Sequence, residues 1–133
     1  MSTIVATVSK IETCESLHIV HFDFNGMTLT MMSLELSENI QIGTKVNLTC
    51  KSAHIAIAKN FSGEVSYSNK LDCVIWSIEN GKLLSSLNLK IFDTILESII
   101  TLDSSKKMDL KVGDKVTAFI NASELSILEV IND

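Results

Sequence analysis

The sequence predicts an all-β protein built from two tandem copies of one small unit. Residues 42–58 and 112–128 follow the same order of turns and strands. Apolar and polar residues alternate along most apolar segments, which is the period of a half-buried strand. The 133 residues allow two units of about 65 residues, near the lower limit for an independent core. We therefore predict a first repeat over residues 1–60 and a second over residues 66–133.

The repeat is clearest at one turn and the two strands that follow it. Each copy has a Gly-x-Lys turn, an alternating strand, a small-residue turn and a second alternating strand. The small-residue turns are Lys51-Ser52-Ala53 and Asn121-Ala122-Ser123. The identical pairs are Gly43 and Gly113, Lys45 and Lys115, Val46 and Val116, and Ile57 and Ile127.

Three further strands precede this pattern in each copy. The opening strands contain Val8 to Ile11 and Ile75 to Ile78, and the next four are predicted at His18–Phe24, Met27–Met32, Leu84–Ile91 and Leu96–Thr101. Asn25-Gly26 is a strong hairpin turn because both residues tolerate positive φ, and Phe92-Asp93-Thr94 is a weaker one. Polar pieces at 35–39 and 103–107 predict one helical turn per copy. Five curled strands with a helical turn fit a small barrel of the oligonucleotide/oligosaccharide-binding (OB) shape.

Composition excludes several classes of function. The net charge is −5 and every basic side chain apart from histidine is a lysine, which argues against a nucleic-acid partner. The three cysteines form no C-x-x-C pair, so neither a disulfide framework nor a zinc site is indicated. No stretch approaches the ~20 apolar residues that cross a membrane, and the start lacks the pattern of a secretory signal. We expect a soluble cytoplasmic protein with no catalytic arrangement, and Trp76 packed against a barrel.

The second copy resembles a known family. Residues 66–75, SYSNKLDCVI, resemble the S-A-R-N-x-L-x-G-x-V opening of the molybdenum-pterin-binding (Mop) family, also called transport-associated OB (TOBE) domains. Residues 100–123 resemble its continuation, I-T-x-x-S followed by L-x-L-x-x-G-x-x-V-x-A-x-I-K-A-S. The first copy follows the later part over residues 42–53. This tandem, or di-Mop, resemblance implies binding of molybdate or tungstate between subunits of a symmetric homo-oligomer, with a trimer favoured.

The resemblance also implies which residues bind the oxyanion. Molybdate is a tetrahedral dianion that needs hydrogen-bond donors and is repelled by carboxylates. Hydroxyls, amides, lysine and peptide N–H groups are suitable donors, and no free metal cation is expected. The matched positions are Ser66, Ser68, Asn69, Lys51, Ser52, Ala53, Thr101, Ser104, Asn121, Ala122 and Ser123.

The two copies differ in charge at these positions. Ser68 stands where the family has arginine, and Asn121 where it has lysine, whereas Lys51 keeps the lysine. If the leading segment 66–69 meets the turn that contains Lys51, the composite site has one cation. We predict that it binds more tightly than the reciprocal site, which would combine the Asn121 turn with the α-amino group of Met1.

Other interpretations of these residues stay open. Serine and asparagine in turns often serve backbone geometry alone, and Lys51 could be a solvated lysine at a strand end. Thr101 and Ser104 could cap the helical turn, because a hydroxyl before a short helix accepts its free N–H groups.

The resemblance favours a cytoplasmic molybdate- or tungstate-binding protein for molybdenum storage or homeostasis. A ligand-sensing module that regulates a molybdate transport system, through a transporter or a transcription regulator, is the second hypothesis. An OB-type nucleic-acid binder is a third, which the acidic charge and the low aromatic content disfavour.

Overall fold

A computed structural model describes residues 2–132. Ten strands form two curled sheets, and the predicted all-β, tandem OB-like fold is confirmed. The strands are β1 (Thr3–Cys14), β2 (Leu17–Phe24), β3 (Met27–Ser33), β4 (Lys45–Thr49), β5 (Ala56–Lys59), β6 (Asn69–Asn80), β7 (Leu84–Ile91), β8 (Thr94–Thr101), β9 (Lys115–Ile120) and β10 (Ser126–Val130). One helix, α1 (Leu102–Lys107), precedes β9, and 3₁₀ turns at Ser52–His54 and Ala122–Glu124 follow β4 and β9.

The fifth strand of each repeat belongs to the sheet of the other repeat. The strand orders are β10-β4-β1-β2-β3 and β5-β9-β6-β7-β8. Ile57 lies opposite Ala118 and Ile127 lies opposite Leu48, so the two exchanged strands occupy equivalent registers. Each sheet therefore combines strands from both repeats, and the repeat boundaries at residues 60 and 66 stay a sequence-based prediction.

The hairpin turns have the backbone geometry that their sequences require. Asn25 and Gly26 have φ values of 49° and 88°, which places both in the left-handed region. Phe92 takes the first of these positions in the second repeat with φ 54°, although it is neither asparagine nor glycine. The sequence signal was weaker there because the fold imposes a conformation that the residue does not favour.

A β-bulge curls the long first strand of each repeat. The register shifts between Val8 and Lys10 in β1 and between Ile75 and Ser77 in β6. A bulge adds one residue and increases the local twist, which lets one strand serve both sides of a curled sheet. The expectation that Trp76 packs against the barrel is wrong: it lies at the bulge, is 58% exposed and contacts Lys90, whose Nζ is 4.5 Å from the ring centroid.

The helical turn predicted for both copies occurs only in the second. Between Ser33 and Gly43 the chain forms turns without a helix, whereas the equivalent stretch from Thr101 to Gly113 contains α1. The first connection is two residues shorter in sequence, so it has no length for a helical turn before its Gly-x-Lys turn. Ser33 Oγ instead donates to Glu35 O and accepts from Glu35 N.

The buried apolar residues of both sheets form one cluster. It includes Phe22 and Leu48 from the first sheet and Leu71, Leu89 and Ala118 from the second. Two repeats of this size gain a larger shared core by packing together, which offsets the poor surface-to-volume ratio of each. Within residues 2–132, no helix is long and apolar enough to cross a membrane.

Candidate functional site

The two small-residue turns have the same backbone conformation. Lys51 and Asn121 are extended, with ψ angles of 137° and 143°, and each precedes a 3₁₀ turn. His54 N donates to Lys51 O and Glu124 N donates to Asn121 O, both at 2.9 Å. Because the first bonded donor comes three residues into each turn, the two preceding N–H groups have no partner inside it. Each turn therefore presents peptide donors as well as side chains.

Strand exchange brings these two turns together. His54 Nδ1 lies 2.6 Å from Glu124 Oε2, which joins the end of one 3₁₀ turn to the end of the other. The first turn packs on β8 and the second on β3, so each turn contacts the third strand of the other repeat. The sequence predicted both turns but not that they meet.

A cleft of about 620 Å³, here called the Asn121 cleft, lies on one side of this ion pair. Its polar lining residues are His54, Tyr67, Thr101, Asn121 and Glu124. Ala53 and a wall of apolar side chains, including Ile55 and Ile99, complete it. The Asn121 cleft therefore gathers Ala53, Thr101 and Asn121, which come from three separate segments of the predicted site.

A second cleft of about 420 Å³, the Lys51 cleft, also borders His54 and Glu124. It is lined by Thr49, Cys50, Lys51, Ser52, His54, Glu124 and Ser126. Among the described residues, the Lys51 ammonium makes no ion pair, so it stays available to an anion. Lys51 and Ser52 are thus brought together, but in a different cleft from Asn121.

The Ser52 hydroxyl is already bonded to a carboxylate. Ser52 Oγ donates to Glu97 Oε1 at 2.9 Å, and Ser86 Oγ donates to Glu97 Oε2 at 3.0 Å. Glu97 N in turn donates to Ser2 Oγ at 2.8 Å. A carboxylate accepts the same hydrogen bonds that an oxyanion would, so Glu97 competes with any anion for Ser52.

The Asn69 side chain is a buried bridge between the sheets. Its Nδ2 donates to Thr30 O at 2.9 Å and to Ile120 O at 3.1 Å, and its Oδ1 accepts from Thr30 N at 2.7 Å. These bonds use both amide hydrogens of a residue with no exposed surface. The Asn69 side chain is therefore engaged within the fold and has no donor left for a ligand.

The leading segment lies beside the turn of its own repeat. Asn69 is paired with Ile120, the residue before Asn121, and the exposed Ser66 and Ser68 precede it. Tyr67, between them, lines the Asn121 cleft together with Ala53. The register thus places residues 66–69 next to Asn121, and the shared cleft also brings Tyr67 near the turn that contains Lys51. The pairing that we hypothesised stays a prediction. Met1, the other partner in that hypothesis, lies outside the described residues.

Thr101 and Ser104 cap α1, as the alternative interpretation held. Thr101 Oγ1 accepts from Ser104 N at 3.1 Å and is 2.9 Å from Ser104 Oγ, to which it donates. Thr101 still lines the Asn121 cleft, whereas Ser104 lines neither cleft. Their shared hydrogen bond couples the start of α1 to the cleft wall.

The last two predicted site residues, Ala122 and Ser123, line neither of these clefts. Ala122 is buried. Ser123 lines a third cleft of about 800 Å³, next to Ser33 at the end of β3. The structure therefore separates Asn121 from Ser123, although the two are neighbours in a single predicted turn.

Three charged residues of this region were missed. His54 and Glu124 line both clefts, and Glu97 reaches the Lys51 cleft through Ser52. A signal did exist: His54 and Glu124 occupy equivalent positions of the repeat and have opposite charge tendencies. Glu97 gave no such signal, since a carboxylate on a strand is ordinarily solvated.

The buried cysteines are core thiols. Burial and the nearby Glu124 raise the pKa of Cys50 to about 11, and burial raises the pKa of Cys73 to about 12. Both stay protonated at neutral pH and are poor nucleophiles and metal ligands. In the part of the chain that the structure describes, no group of three His, Cys, Asp or Glu side chains could bind a metal ion.

Residues 66–127 match the TOBE domain family. This matched segment is similar to a TOBE domain. It spans β6 to β9 with α1, and it ends within the exchanged strand β10. The resemblance inferred from SYSNKLDCVI and the turn at 121–123 is thereby confirmed. No curated protein sequence matches the chain significantly.

Two solved structures resemble this chain. The cytoplasmic molybdate-binding protein ModG, crystallised with molybdate bound, has a TM-score of 0.88 and 23% identity, with 94% of this chain and 93% of ModG covered. A molybdate-binding protein from Sporomusa ovata has 34% identity and a TM-score of 0.49 over 50% of this chain and 100% of its own. The likeness to ModG shows that the tandem fold extends over both repeats.

Proposed function

We propose that this protein binds molybdate or tungstate in the cytoplasm and serves molybdenum storage or homeostasis. The observation that carries the proposal is the Asn121 cleft, where hydrogen-bond donors of the TOBE domain meet the first repeat's turn. ModG, which has the same fold, is a molybdate-binding protein, and this supports the choice of ligand.

The donors of the Asn121 cleft suit a tetrahedral dianion. The Asn121 side chain makes no capping hydrogen bond, so its amide N–H groups are available. Ala53, whose N–H has no partner within its own 3₁₀ turn, also lines this cleft and adds a donor that carries no charge. The exposed hydroxyls of Ser66 and Ser68 lie on the adjacent segment. Charge-assisted hydrogen bonds contribute about 1.5–3 kcal/mol each, so half a dozen can reach the ~8 kcal/mol of a micromolar site.

The Lys51 cleft is the weaker of the two sites in this proposal. The Lys51 ammonium would attract an anion, but the Ser52 hydroxyl already donates to Glu97, whose carboxylate adds negative charge. This reverses the order expected from sequence, in which the turn containing Lys51 belonged to the tighter site. The reversal depends on one carboxylate from the other repeat.

We further propose that the protein forms a homo-oligomer, with a trimer favoured. Each cleft is open on one side and holds few donors for four anion oxygens, so a neighbouring subunit would complete the shell. Binding at such a boundary stabilises the assembly, because a ligand favours the state that binds it.

Isothermal titration with molybdate, tungstate and sulfate tests the proposal, with native mass spectrometry for stoichiometry. Asn121→Ala should weaken molybdate binding about 10- to 100-fold, the loss of one charge-assisted hydrogen bond. The equivalent substitution Lys51→Ala is the matched control and should weaken it less. Absence of molybdate and tungstate binding to the wild-type protein would refute the function, and a greater loss in Lys51→Ala would refute the order of the two clefts.

A further inference from the structure

The contact between His54 and Glu124 is common to the two clefts. Both residues line the Asn121 cleft and the Lys51 cleft. Their side chains are 42% and 41% exposed, so solvent protons reach them. The 2.6 Å contact between His54 Nδ1 and Glu124 Oε2 fixes the imidazole between two candidate anion positions.

The charged groups in contact with His54 or with the turn that contains it come from three elements. Glu124 belongs to the 3₁₀ turn of the second repeat, and Glu97 on β8 is held against the first turn by Ser52. Lys51 begins the turn that contains His54. The Cys50 thiol in the same cleft has its pKa raised to about 11 and stays neutral, and the Tyr67 phenol lines the other cleft.

These charges make the junction unfavourable to a dianion unless His54 is protonated. With neutral imidazole, the carboxylates of Glu97 and Glu124 exceed the single ammonium of Lys51 by one negative charge. Protonation of His54 brings the local sum to zero and adds an N–H donor on the cleft wall. The protonated state therefore binds a dianion more tightly, and by linkage the bound dianion favours protonation.

We propose that His54, paired with Glu124 between the two clefts, couples oxyanion binding to the uptake of a proton. The inference rests on the proposed function and names its regulation. The protein would bind its dianion strongly in mildly acidic conditions and release it as the pH rises. His54 thereby supplies, in a pH-dependent form, positive charge that Asn121 and Ser68 lack.

Titration of tungstate by calorimetry across about pH 6.5 to 8.5, in buffers of different ionisation enthalpy, measures this coupling. The wild-type protein should take up as much as about one proton per anion, and its affinity should fall by up to about tenfold per pH unit as the pH rises. His54→Gln should bind with an affinity independent of pH and take up no proton. His18→Gln, a change at a histidine of β2 that lines neither cleft, should keep the wild-type slope.

A second variant keeps the coupling testable if His54→Gln does not fold. Glu124→Gln removes a negative charge from the same wall and should raise the affinity for tungstate at the high end of the pH range. A pH slope that persists unchanged in both variants, or wild-type binding without proton uptake, would overturn the coupling while leaving the anion site intact. Failure of tungstate and molybdate to bind at any pH would instead overturn the proposed function.

Discussion

The two repeats have the same strand order but stabilise equivalent positions with different interactions. Ser2 precedes β1 and Asn69 begins β6, the long first strands of the two repeats. Each bonds the backbone of the other repeat's third strand, Ser2 at Glu97 and Asn69 at Thr30. Ser2 makes that contact through one hydroxyl, whereas Asn69 makes three bonds through a buried amide. The comparison shows that topology was kept while the chemistry at each position diverged.

The exchanged strands show the same divergence at their far ends. Lys59 on β5 donates to Met108 O at 3.2 Å and Asp109 O at 2.9 Å and pairs with Asp114 at 3.2 Å. At the equivalent place on β10, Glu129 accepts one hydrogen bond from Asn47. The Lys59 side chain therefore makes more polar contacts across its strand exchange than the Glu129 side chain does.

The largest loss of unfolding free energy is expected on substitution of Asn69, whose side-chain amide is buried. Asn69→Ala leaves Thr30 N, Thr30 O and Ile120 O without their partner, so the free energy of unfolding should fall by about 2–4 kcal/mol. Ser2→Ala, the equivalent change in the first repeat, should cost about 0.5–1.5 kcal/mol. Urea unfolding measures both. Equal losses would show that the two bridges contribute alike despite their different burial.

A smaller effect is expected at the exchanged strands. Lys59→Met keeps the aliphatic stem but removes the ammonium from two carbonyls and a carboxylate, and should cost about 1–2 kcal/mol. Glu129→Gln keeps an acceptor for Asn47 and should change stability by less than about 0.5 kcal/mol. Thermal unfolding at neutral pH measures this pair. A greater loss in Glu129→Gln would reverse the assignment of the stronger attachment.

The smallest expected effect is on the pH dependence of the unfolding free energy in acid, which involves Asp114. The backbone N–H of Lys111 and the Lys59 ammonium lower the pKa of Asp114. The folded carboxylate therefore contributes stability above its unfolded pKa of about 3.9, which is lost as the pH falls through the lower folded value. Thr44 occupies the equivalent position and accepts from Gln41 N through a hydroxyl that does not titrate.

Asp114→Thr, which copies the first repeat, should make the unfolding free energy less dependent on pH between about 5 and 2. Measurement of urea midpoints across that range tests it, with Asp103→Asn as the control, because Asp103 is an exposed carboxylate on α1. An unchanged slope in Asp114→Thr would mean that Asp114 contributes no acid-sensitive stability.

Local sequence was sufficient for the strands and most turns. Alternation predicted all ten strands closely, and Asn25-Gly26 predicted its hairpin, because these features depend on neighbours in the chain. Local sequence predicted the structure wrongly where the length of a connection or the burial of a side chain determined it. The helix expected at 35–39 has no room in the shorter connection, and the Trp76 bulge turns an apolar side chain toward solvent.

The site shows a sharper division. The family resemblance located Lys51, Thr101 and Asn121, and the structure places them at two clefts. The resemblance could not reveal that the Asn69 amide bonds Thr30, or that Glu97 accepts the hydrogen bond of the Ser52 hydroxyl. Those contacts join residues 39 and 45 positions apart, and no local pattern encodes their distance.

A duplicated five-strand unit, its hairpins and two donor-rich turns follow from the sequence alone, since periodicity and turn chemistry are local properties. Only the tertiary structure decided which sheet receives each fifth strand. β5 and β10 present similar alternating edges, so either sheet offers an equivalent register. The choice of the exchanged pairing is what sets His54 against Glu124 and places one charged wall between two clefts.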